Sequence, residues 1–553
     1  MLTIDLHPYQ NGAVDHGIDR GNLLVAFEAG TGKSVMALAI MEELIANDEA
    51  QSCLLVVPAG LKWQWAEQIA RAVDVDTCSK TLTLDGVRQE ITIPVDKHAI
   101  VIDGSKAKRV KQYAFIRNVH RPDYIILGYE NVVNDWNNVR RIKPDAIFLD
   151  EITAIKTFRA QRTRKIKRLN APFRYGLTAT PVENGKPEEL YSIMQWIDPE
   201  VLGRFDLFDK TYIVRNNFGG VQRYKNLPVL HAKLAEVMER KTRLDPEVAK
   251  YLPKTQESNL YVDLDKKSRA AYNVLSKELL SELQKMKPGM GVEFDVAAYY
   301  SGNQQNENTQ QGRIMARMQA LDMLLDHPDL IVASGMDYEE SLEQQQAGVV
   351  RANWPGSKYC YEVWQSGLLD DVLDSPKLAA LTEDVETTLS SNPKNKIIVF
   401  TFYRNALEAI SEALSPLAGS VQYHGGMSAA AKAGARARFR EDPDCRLFLC
   451  SHAGAFGTDL YMANYLYNYD LTWAPGTQDQ INGRHSRVAS EFKNIYVRNM
   501  ITRGTTEPRK YEVLAHKRRV GSAILDNEGA DDEGRVINDV GSLTEHLLGA
   551  LSK

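Results

Sequence analysis

Short runs of aliphatic and β-branched residues recur along the chain and alternate with stretches of helical length. In the first half these runs are Leu23–Phe27, Leu54–Val57, Ile100–Ile102, Tyr124–Leu127, Ala146–Leu149 and Tyr175–Leu177. In the second half they are Lys396–Thr401, Val421–Tyr423, Leu447–Ser451, Tyr465–Tyr469 and Ile495–Met500. Continuous apolar strands separated by helices are typical of parallel sheets that are covered on both faces. The pattern therefore predicts an α/β protein with two lobes.

The region between the two sets, about 230–390, is mainly helical in pattern. It contains a polar stretch, 285–312, which we expect to be a mobile surface insertion. The residues around 526–534 are acidic and contain glycine, which predicts a flexible link to a short C-terminal helix. The expected organisation is a first lobe over 1–245, a linker and helical insertion over 246–375, a second lobe over 376–520 and a flexible tail over 521–553.

Composition narrows the class of protein. The 553 residues exceed the size of one core and suggest about three units of ordinary size. The net charge of −5 means that any nucleic-acid surface must be local rather than a property of the whole chain. The five cysteines lack metal or disulfide spacing, and Cys53 and Cys450 lie in apolar runs as small hydrophobes. No secretory signal and no apolar stretch of membrane-spanning length is visible, so we expect a reducing compartment and no membrane partner.

A glycine-rich segment follows the first apolar run and carries the first candidate chemistry. Glu28-Ala-Gly30-Thr31-Gly32-Lys33-Ser34 leads into a predicted helix, Val35–Leu44. Glycines let backbone N–H groups close around phosphate oxygens, and the N-terminus of a helix adds a favourable dipole. Lys33 supplies a charge for the β- and γ-phosphates, and the Ser34 hydroxyl can ligate Mg²⁺. The segment predicts a nucleoside triphosphate site; the alternative is a glycine turn before a buried helix.

A second candidate site is the acidic pair that ends the run Ala146–Leu149. In an open parallel sheet, ligands bind at the carboxyl ends of the strands, which is where Asp150 and Glu151 emerge. Asp150 would hold Mg²⁺, and Glu151 would orient and deprotonate the attacking water. An isolated Asp-Glu pair is more often a solvated surface pair, but the upstream phosphate loop favours the catalytic interpretation.

Asp150-Glu151-Ile-Thr-Ala-Ile-Lys156 resembles the DEAH-x-x-K segment of the SNF2 family within the superfamily 2 helicases. The resemblance covers roughly residues 5–510 and keeps the family's order of motifs. The matching segments are Leu6–Gln10 (the L-x-P-Y-Q opening), Leu55–Trp65 (motif Ia), Tyr129-Glu130 (motif Ib), Leu177–Asn184 (motif III), Arg240–Arg243 with Leu252–Lys254 (the junction of the lobes), Ile398–Phe400 (motif IV), Ser451–Leu460 (motif V) and Gln480–Arg487 (motif VI). The chain departs from the family at Phe27-Glu28, where Asp-Glu is usual, and at Ile152-Thr153, where Ala-His is usual.

The resemblance implies two RecA-like parallel-sheet lobes with helical insertions, and ATP hydrolysis with Mg²⁺. It implies that Gln10 reads the adenine edge and that Arg484 and Arg487 of the second lobe neutralise charge on the transferred phosphoryl group. Hydrolysis would then require closure of the lobes. The alternative for the two arginines is a salt-bridged surface helix. The remaining implied contacts are, for the nucleotide, Glu28, Gly457, Asp459 and Gln480, and, for coupling or nucleic acid, Tyr129, Thr178, Thr180 and Ser451.

The implied partner is double-stranded DNA, held through its phosphates without sequence preference. The expected activity is translocation along the duplex and remodelling of DNA or protein–DNA complexes. No chromatin-reading module is recognisable, which favours a minimal prokaryotic or viral type in the cytoplasm of a bacterial or phage-infected cell, with a nucleus as the alternative. Two rival functions stay open: a strand-separating or annealing helicase on forks, R-loops or RNA, and an ATP-gated DNA-binding accessory protein.

Three weaker patterns have two interpretations each. The basic residues between Lys156 and Arg168 form either a helix that tracks a phosphate backbone or a solvated helix face. The tyrosines at 461, 465, 467 and 469 recur with a period of two, which favours a half-buried strand over base stacking. Trp63 and Trp65 are interpreted as packing residues rather than platforms for bases.

Overall fold

The computed structural model describes residues 2–73, 79–84, 87–92, 98–215, 217, 221–286, 307–351, 354–451, 460–487, 490–529, 548–549 and 551, with 79–84 and 87–92 as backbone alone. The chain forms two compact units. The first comprises Met1–Ile213, Tyr224–Leu252 and Arg519–Val536, and the second Val214–Arg223, Pro253–Arg518 and Ile537–Lys553.

The first unit is built on a seven-stranded sheet. Its strands are β1 Asn22–Phe27, β2 Cys53–Val57, β5 Ala99–Val101, β6 Tyr124–Gly128, β7 Ala146–Asp150, β8 Phe173–Leu177 and β11 Met238–Lys241. Their order is β11-β1-β8-β7-β2-β6-β5, and every neighbouring pair is parallel. Two two-stranded sheets are separate from this sheet. One pairs β3 Ser79–Leu84 with β4 Val87–Thr92 and is antiparallel. The other pairs β9 Ile213–Arg215 with β10 Val221–Tyr224.

Helices cover both faces of this sheet because its strands are apolar on both sides. Along β1, Leu24 and Ala26 belong to one hydrophobic cluster, and Leu23, Val25 and Phe27 to another. The helices are Pro8–Arg20, Lys33–Ala46, Lys62–Ala72, Lys106–Asn118, Tyr129–Asn134, Trp136–Val139, Gln161–Ile166, Pro187–Ile197, Pro199–Leu202, Phe205–Tyr212, Leu227–Leu234 and Pro246–Ala249, with 3₁₀ turns at Ala59–Leu61 and Ile152–Ile155.

The second unit contains a six-stranded parallel sheet. Its strands are β12 Lys254–Val262, β13 Ile397–Phe400, β14 Gly419–Tyr423, β15 Cys445–Cys450, β16 Tyr465–Asn468 and β17 Asn494–Thr502, in the order β12-β17-β16-β13-β15-β14. Its helices are Lys266–Gln284, Gln310–Asp326, Asp329–Gln346, Lys358–Gln365, Pro376–Ser391, Arg404–Leu414, Ala429–Glu441, Pro475–Asn482 and the first part of Glu507–Leu525. Across the described ranges of both units, none of the helices has the length and apolarity that a bilayer crossing requires.

A cluster of buried charges lies inside the second unit. The Lys377 ammonium is 0% exposed and contacts the carboxylates of Asp326 at 2.9 Å and Glu507 at 2.6 Å. Lys510 contacts Asp322 at 2.8 Å nearby in the same core. Burial raises the pKa of the Asp326 carboxyl, and the two carboxylates hold the pKa of Lys377 above its usual range against the opposing effect of burial. These ion pairs join the helix Pro376–Ser391 to the helices Gln310–Asp326 and Glu507–Leu525.

The parallel α/β fold predicted from the apolar runs is confirmed, and all eleven runs are strands whose ends agree with the prediction within two residues. The edge strands β11 and β12 were not predicted. Their sequences, Met-Glu-Arg-Lys and Lys-Thr-Gln-Glu-Ser-Asn-Leu-Tyr-Val, are polar because an edge strand is less buried than a central one.

The division of the chain differs from the expected four parts. The helices between 266 and 391 pack in the same hydrophobic cluster as β13, so they form no separate insertion unit. Residues 521–525, expected in a flexible tail, end the helix Glu507–Leu525, and Ala523, Ile524 and Leu525 are buried in the first unit. The stretches 287–306 and 530–547, which include most of the predicted insertion and tail, lie outside the described residues.

Candidate active site

Three neighbouring strands of the first sheet end at the predicted site. Strands β1, β8 and β7 are adjacent in the sheet and parallel. The phosphate loop follows β1, Thr178 follows β8, and Asp150 ends β7. The sheet order therefore brings motifs that are far apart in sequence to one edge, the carboxyl edge at which open α/β sheets bind ligands.

The backbone of the phosphate loop fits an anion. Gly30 and Gly32 have φ angles of 87° and 89°, in the left-handed region that residues with a Cβ rarely adopt. A Cβ at position 32 would also collide with Nε2 of Gln10. Such a turn points successive N–H groups inward and leads into the N-terminus of the helix Lys33–Ala46, an arrangement that binds phosphate oxygens.

Side chains of the loop are held by its own carbonyls. Lys33 Nζ donates to the carbonyl oxygens of Phe27 at 2.7 Å and Glu28 at 3.1 Å. The Thr31 hydroxyl donates to the Glu28 carbonyl at 2.7 Å. Ser34 lies in the first turn of the helix, as the metal-ligating hydroxyl of a phosphate loop does. Lys33 is therefore held against the residues that begin the loop.

Gln10 is buried and linked to the same loop. Its Nε2 donates to the Thr31 carbonyl at 3.2 Å, and its Oε1 accepts from the His7 backbone N–H at 2.8 Å. Tyr9 donates its hydroxyl to the same Thr31 carbonyl at 2.9 Å, and burial raises the pKa of this phenol to about 12. The rings of His7 and Tyr251 stack at 4.0 Å between centroids. The contribution of Tyr251 could not be predicted, because 240 residues lie between it and Gln10 in the sequence.

Glu28, predicted to contact the nucleotide, is engaged by strand β11. Its carboxylate accepts from Arg240 Nη2 at 3.2 Å and from the Arg243 backbone N–H at 3.0 Å. Arg240 also donates to the Ala26 carbonyl at 2.9 Å and to the Asp526 carboxylate at 3.1 Å. These contacts within the first unit fix the start of the phosphate loop against β11 and against Asp526, just after the helix Glu507–Leu525. Glu28 itself remains a predicted nucleotide contact.

Asp150 and Glu151 are held by two aromatic side chains. The Trp65 indole N–H donates to Asp150 Oδ2 at 2.8 Å, and the Glu151 backbone N–H donates to Asp150 Oδ1 at 3.0 Å. The Tyr129 hydroxyl donates to the Asp150 carbonyl at 2.8 Å. Glu151 has a φ of 50°, a left-handed conformation that is strained for a residue with a side chain and is typical of functional sites.

Trp65 was interpreted from the sequence as a packing residue, and it is indeed buried. Its contact with Asp150 gives it a second role as a positioning residue for the predicted metal ligand. The contact follows from the sheet order, because β2, which precedes Trp65, lies beside β7. Among the described residues no group of three or more His, Cys, Asp or Glu side chains could hold a metal by itself. An ion at Asp150 would therefore need further ligands, which the Ser34 hydroxyl and phosphate oxygens would supply, as is common for Mg²⁺.

The segments after the acidic pair and after β8 contact each other. The Thr153 hydroxyl donates to Glu183 Oε1 at 3.3 Å, and Lys156 forms an ion pair with the same carboxylate. Thr178 is fully buried and accepts a hydrogen bond from the Thr180 backbone N–H at 3.1 Å. Thr153, which replaces the usual histidine of the family, thus still links these two segments.

In the second unit, two of the predicted segments follow strands β15 and β16. Ser451 follows β15, and the helix Pro475–Asn482, which carries Gln480, follows β16; both strands flank β13. Gln480 is buried, and Arg484 lies just after the helix. Arg487 donates to the Gly483 carbonyl at 2.6 Å. Gly457 and Asp459, predicted to contact the nucleotide, lie outside the described residues.

The basic residues after Lys156 do not form one helix. Helix Gln161–Ile166 is short, and Lys165 and Lys167 point back into the first unit, where they donate to the Val133 carbonyl at 2.7 Å and to Gln195 at 2.8 Å. Burial lowers the pKa of Lys167 to about 8. One continuous helix between Lys156 and Arg168 is therefore wrong, while contact of these residues with a phosphate backbone stays a prediction. The strand interpretation of the tyrosines is confirmed for Tyr465 and Tyr467, which lie in β16.

The chain thus has two α/β units with parallel main sheets, and the first carries a phosphate loop and an acidic pair at the ends of β1 and β7, on either side of β8. The family model described as SNF2-related domain matches residues 9–330, and the Helicase conserved C-terminal domain matches residues 377–489. The chain belongs to the SNF2-related family of helicase-like ATPases, as the resemblance of its motifs predicted.

Curated relatives are distant and longer. The Bacillus subtilis protein Putative ATP-dependent helicase/translocase YwqA is 23% identical over 423 residues, which cover 76% of this chain and 40% of YwqA. The chicken DNA repair and recombination protein RAD54-like is 21% identical over 520 residues, covering 91% of this chain and 64% of that protein. The Pyrococcus furiosus Hef helicase domain is 18% identical with a TM-score of 0.50 over 92% of this chain and 97% of that one, which shows a shared fold. The chain thus spans less than two thirds of these curated relatives.

Proposed function

We propose that this protein is a DNA-dependent ATPase that translocates along double-stranded DNA and remodels DNA or protein–DNA complexes. One observation carries the proposal: Lys33, Thr178 and the pair Asp150–Glu151 follow three adjacent strand ends of one parallel sheet. Phosphate, metal and water must meet within a few ångströms for phosphoryl transfer, and this sheet edge supplies a group for each.

The residues of the first unit divide the reaction between them. The phosphate loop and Lys33 would bind the β- and γ-phosphates, while Gln10 would contact the base. Ser34 and Asp150 would hold Mg²⁺, which when bound withdraws charge from the phosphate oxygens. Glu151 accepts a proton from the water whose oxygen attacks the γ-phosphorus, and the bond to the β-phosphate oxygen breaks with its electron pair leaving on ADP. Trp65 and Tyr129 keep the Asp150 end of β7 in place.

We propose that the second unit contributes Arg484 and Arg487 to the hydrolysis reaction. An arginine that acts on the transferred phosphoryl group stabilises charge only in the transition state, so its loss lowers turnover and spares ATP binding. Arg484→Ala should therefore abolish hydrolysis while a fluorescent ATP analogue still binds with near wild-type affinity. Arg438→Ala, in an exposed helix of the same unit, is the matched control and should leave both unchanged. If Arg484→Ala lost only ATP binding, this arginine would have a different role.

The nucleic-acid partner is proposed from the family. The name of YwqA includes the word translocase, and the name of the RAD54-like protein includes DNA repair and recombination. With a net charge of −5, the chain requires a local surface for the phosphates. Phosphate contacts supply affinity without sequence information, which suits a motor that must step along any duplex. The bacterial relative also favours a cytoplasmic setting.

The experiment measures ATP hydrolysis with double-stranded DNA, single-stranded DNA and RNA at one fixed salt concentration. We expect duplex DNA to stimulate turnover most, and longer duplexes to stimulate more than short ones. Displacement of a triplex-forming strand should accompany hydrolysis, while a forked duplex should remain paired. Fork unwinding or stimulation by RNA would favour the strand-separating helicase instead. Hydrolysis that ignores DNA length and displaces no third strand would favour the ATP-gated accessory protein.

A further inference from the structure

A large groove lies in the first unit, away from the predicted nucleotide site. Its walls are the helices Pro8–Arg20, Lys33–Ala46 and Lys62–Ala72 and the edge strand β5. It includes Tyr124 at the amino end of β6, whereas the predicted ATP-site residues lie at the carboxyl ends of the strands. The groove has a volume of about 1830 Å³. Sites for small molecules measure roughly 300–1,000 Å³, so this groove has room for a segment of polypeptide.

The floor of the groove is apolar and partly open. Leu6, Val14, Ile18 and Ile69 line it, and two large hydrophobic side chains on it are exposed: Trp63 at 53% and Ile4 at 42%. An exposed tryptophan on an apolar floor is typical of a protein-binding surface, because it can bury a large area against a partner. Trp63 contacts Asp103 at 3.2 Å through its indole N–H and takes no part in the predicted ATP site.

Among the described residues, the charged side chains at the rim of the groove are all acidic. Five exposed carboxylates line it, and none of the five has an ion-pair partner within the described part of the chain: Asp5, Asp15, Asp19, Glu43 and Glu67. Glu42 and Asp123 add two more, which contact the Tyr124 hydroxyl and His98. No lysine or arginine is among the described residues that line the groove. A rim of this kind repels phosphate and attracts cationic groups.

The buried side chain of His98 also lines this groove. His98 is 4% exposed, and its Nδ1 contacts the Asp123 carboxylate at 2.5 Å. Its Nε2 has no hydrogen-bond partner among the described residues. This ring nitrogen can therefore form one further hydrogen bond, and His98 is among the residues that line the groove.

We propose that this groove binds a basic amphipathic segment of another protein, with apolar side chains on the floor and lysine or arginine side chains against the rim. Three longer stretches of this chain whose side chains lie outside the described structure lack the required charge. Residues 74–97 contain three basic and five acidic residues, 287–306 one basic and two acidic, and 530–547 one basic and five acidic. Charge complementarity therefore favours a separate partner, and the groove binds it independently of ATP.

The test uses the full chain and a library of 16-residue peptides that are randomised within a basic amphipathic pattern. Peptides that the wild-type protein enriches are then labelled, and fluorescence anisotropy measures their affinity for the wild type and for the groove variant Glu43→Lys/Glu67→Lys. The matched control is Glu383→Lys/Glu386→Lys, which reverses two exposed carboxylates on the helix Pro376–Ser391. We expect at least tenfold weaker binding to the groove variant, and binding within twofold of wild type to the control. Trp63→Ala should weaken the same peptides, and ATP turnover should not change in any of these variants.

Three results would overturn the proposal. No enrichment from the library would mean that the groove has no affinity for such segments. Equal binding to the groove variant and the control would mean that the peptides bind elsewhere. The third result comes from sedimentation of the full chain. If the wild type and the control were dimers and the groove variant a monomer, the groove would bind a second copy of this chain instead.

Discussion

Two lysines in the first turns of two helices have opposite surroundings. Lys33, at the start of the helix Lys33–Ala46, is half-buried and donates to two backbone carbonyls. Lys377, in the first turn of the helix Pro376–Ser391, is fully buried and contacts two carboxylates. The first has solvent access beside a loop that fits an anion, while the charge of the second is already neutralised inside the protein. The partners and exposure of a lysine, rather than its position on a helix, therefore indicate its role.

Lys33→Ala should lower the rate of ATP hydrolysis strongly. Removing one preorganised donor to a transition-state charge lowers turnover by about 10²–10³-fold. The urea midpoint of unfolding should change little, because the lysine forms hydrogen bonds with carbonyls at the edge of its unit. ATP hydrolysis and urea denaturation on the same sample measure both quantities. Turnover close to wild type would remove Lys33 from the site.

Lys377→Ala, unlike Lys33→Ala, should lower the free energy of unfolding. It leaves Asp326 and Glu507 buried without their cation, which destabilises a protein by about 3–5 kcal/mol. The urea midpoint should fall accordingly. Lys358→Ala is the control, because Lys358 forms an exposed ion pair with Glu362 worth about 0–1 kcal/mol. Equal midpoints for the two variants would contradict the structural role of the buried cluster.

Trp65→Phe tests the positioning of Asp150. The substitution keeps an aromatic ring and removes the N–H that contacts Asp150 Oδ2. Loss of a group that orients a metal ligand weakens metal affinity by about 10–100-fold. We expect the Mg²⁺ concentration at half-maximal ATP hydrolysis to rise at least tenfold. Trp63→Phe, whose indole contacts Asp103 instead, should leave this concentration unchanged; equal shifts in both variants would mean that the effect is general.

The smallest effect concerns a third lysine, Lys167. Because burial lowers its pKa from 10.5 to about 8, the folded protein releases this proton before the unfolded chain does. Between pH 8 and 10.5 the unfolded state binds more protons, so stability rises with pH across this window. Lys167→Gln should flatten the rise in a series of urea midpoints. A wild-type curve with the same slope as the variant would mean that Lys167 keeps its ordinary pKa.

Much of the fold could be predicted from the sequence, because central parallel strands must be apolar on both faces and so stand out as runs such as Leu54–Val57. The positions of Lys33 and Asp150 near strand ends could also be predicted, since Asp150 ends one such run and the loop that contains Lys33 follows another; their roles in the site stay predictions. The supports of the site could not be predicted. Trp65 reaches Asp150, and Arg240 reaches Glu28, only through the sheet order β11-β1-β8-β7-β2. Contacts across adjacent strands leave no trace in local spacing.

The central claim, that the carboxyl edge of the first sheet is the hydrolytic site, is tested most directly by the rate of phosphate release from Glu151→Gln at saturating ATP, Mg²⁺ and duplex DNA. Loss of the general base should lower the rate by about 10²–10⁴-fold while ATP binding is retained. Glu200→Gln, an exposed substitution on the short helix Pro199–Leu202, should match wild type. A rate for Glu151→Gln within a few fold of wild type would contradict the claim.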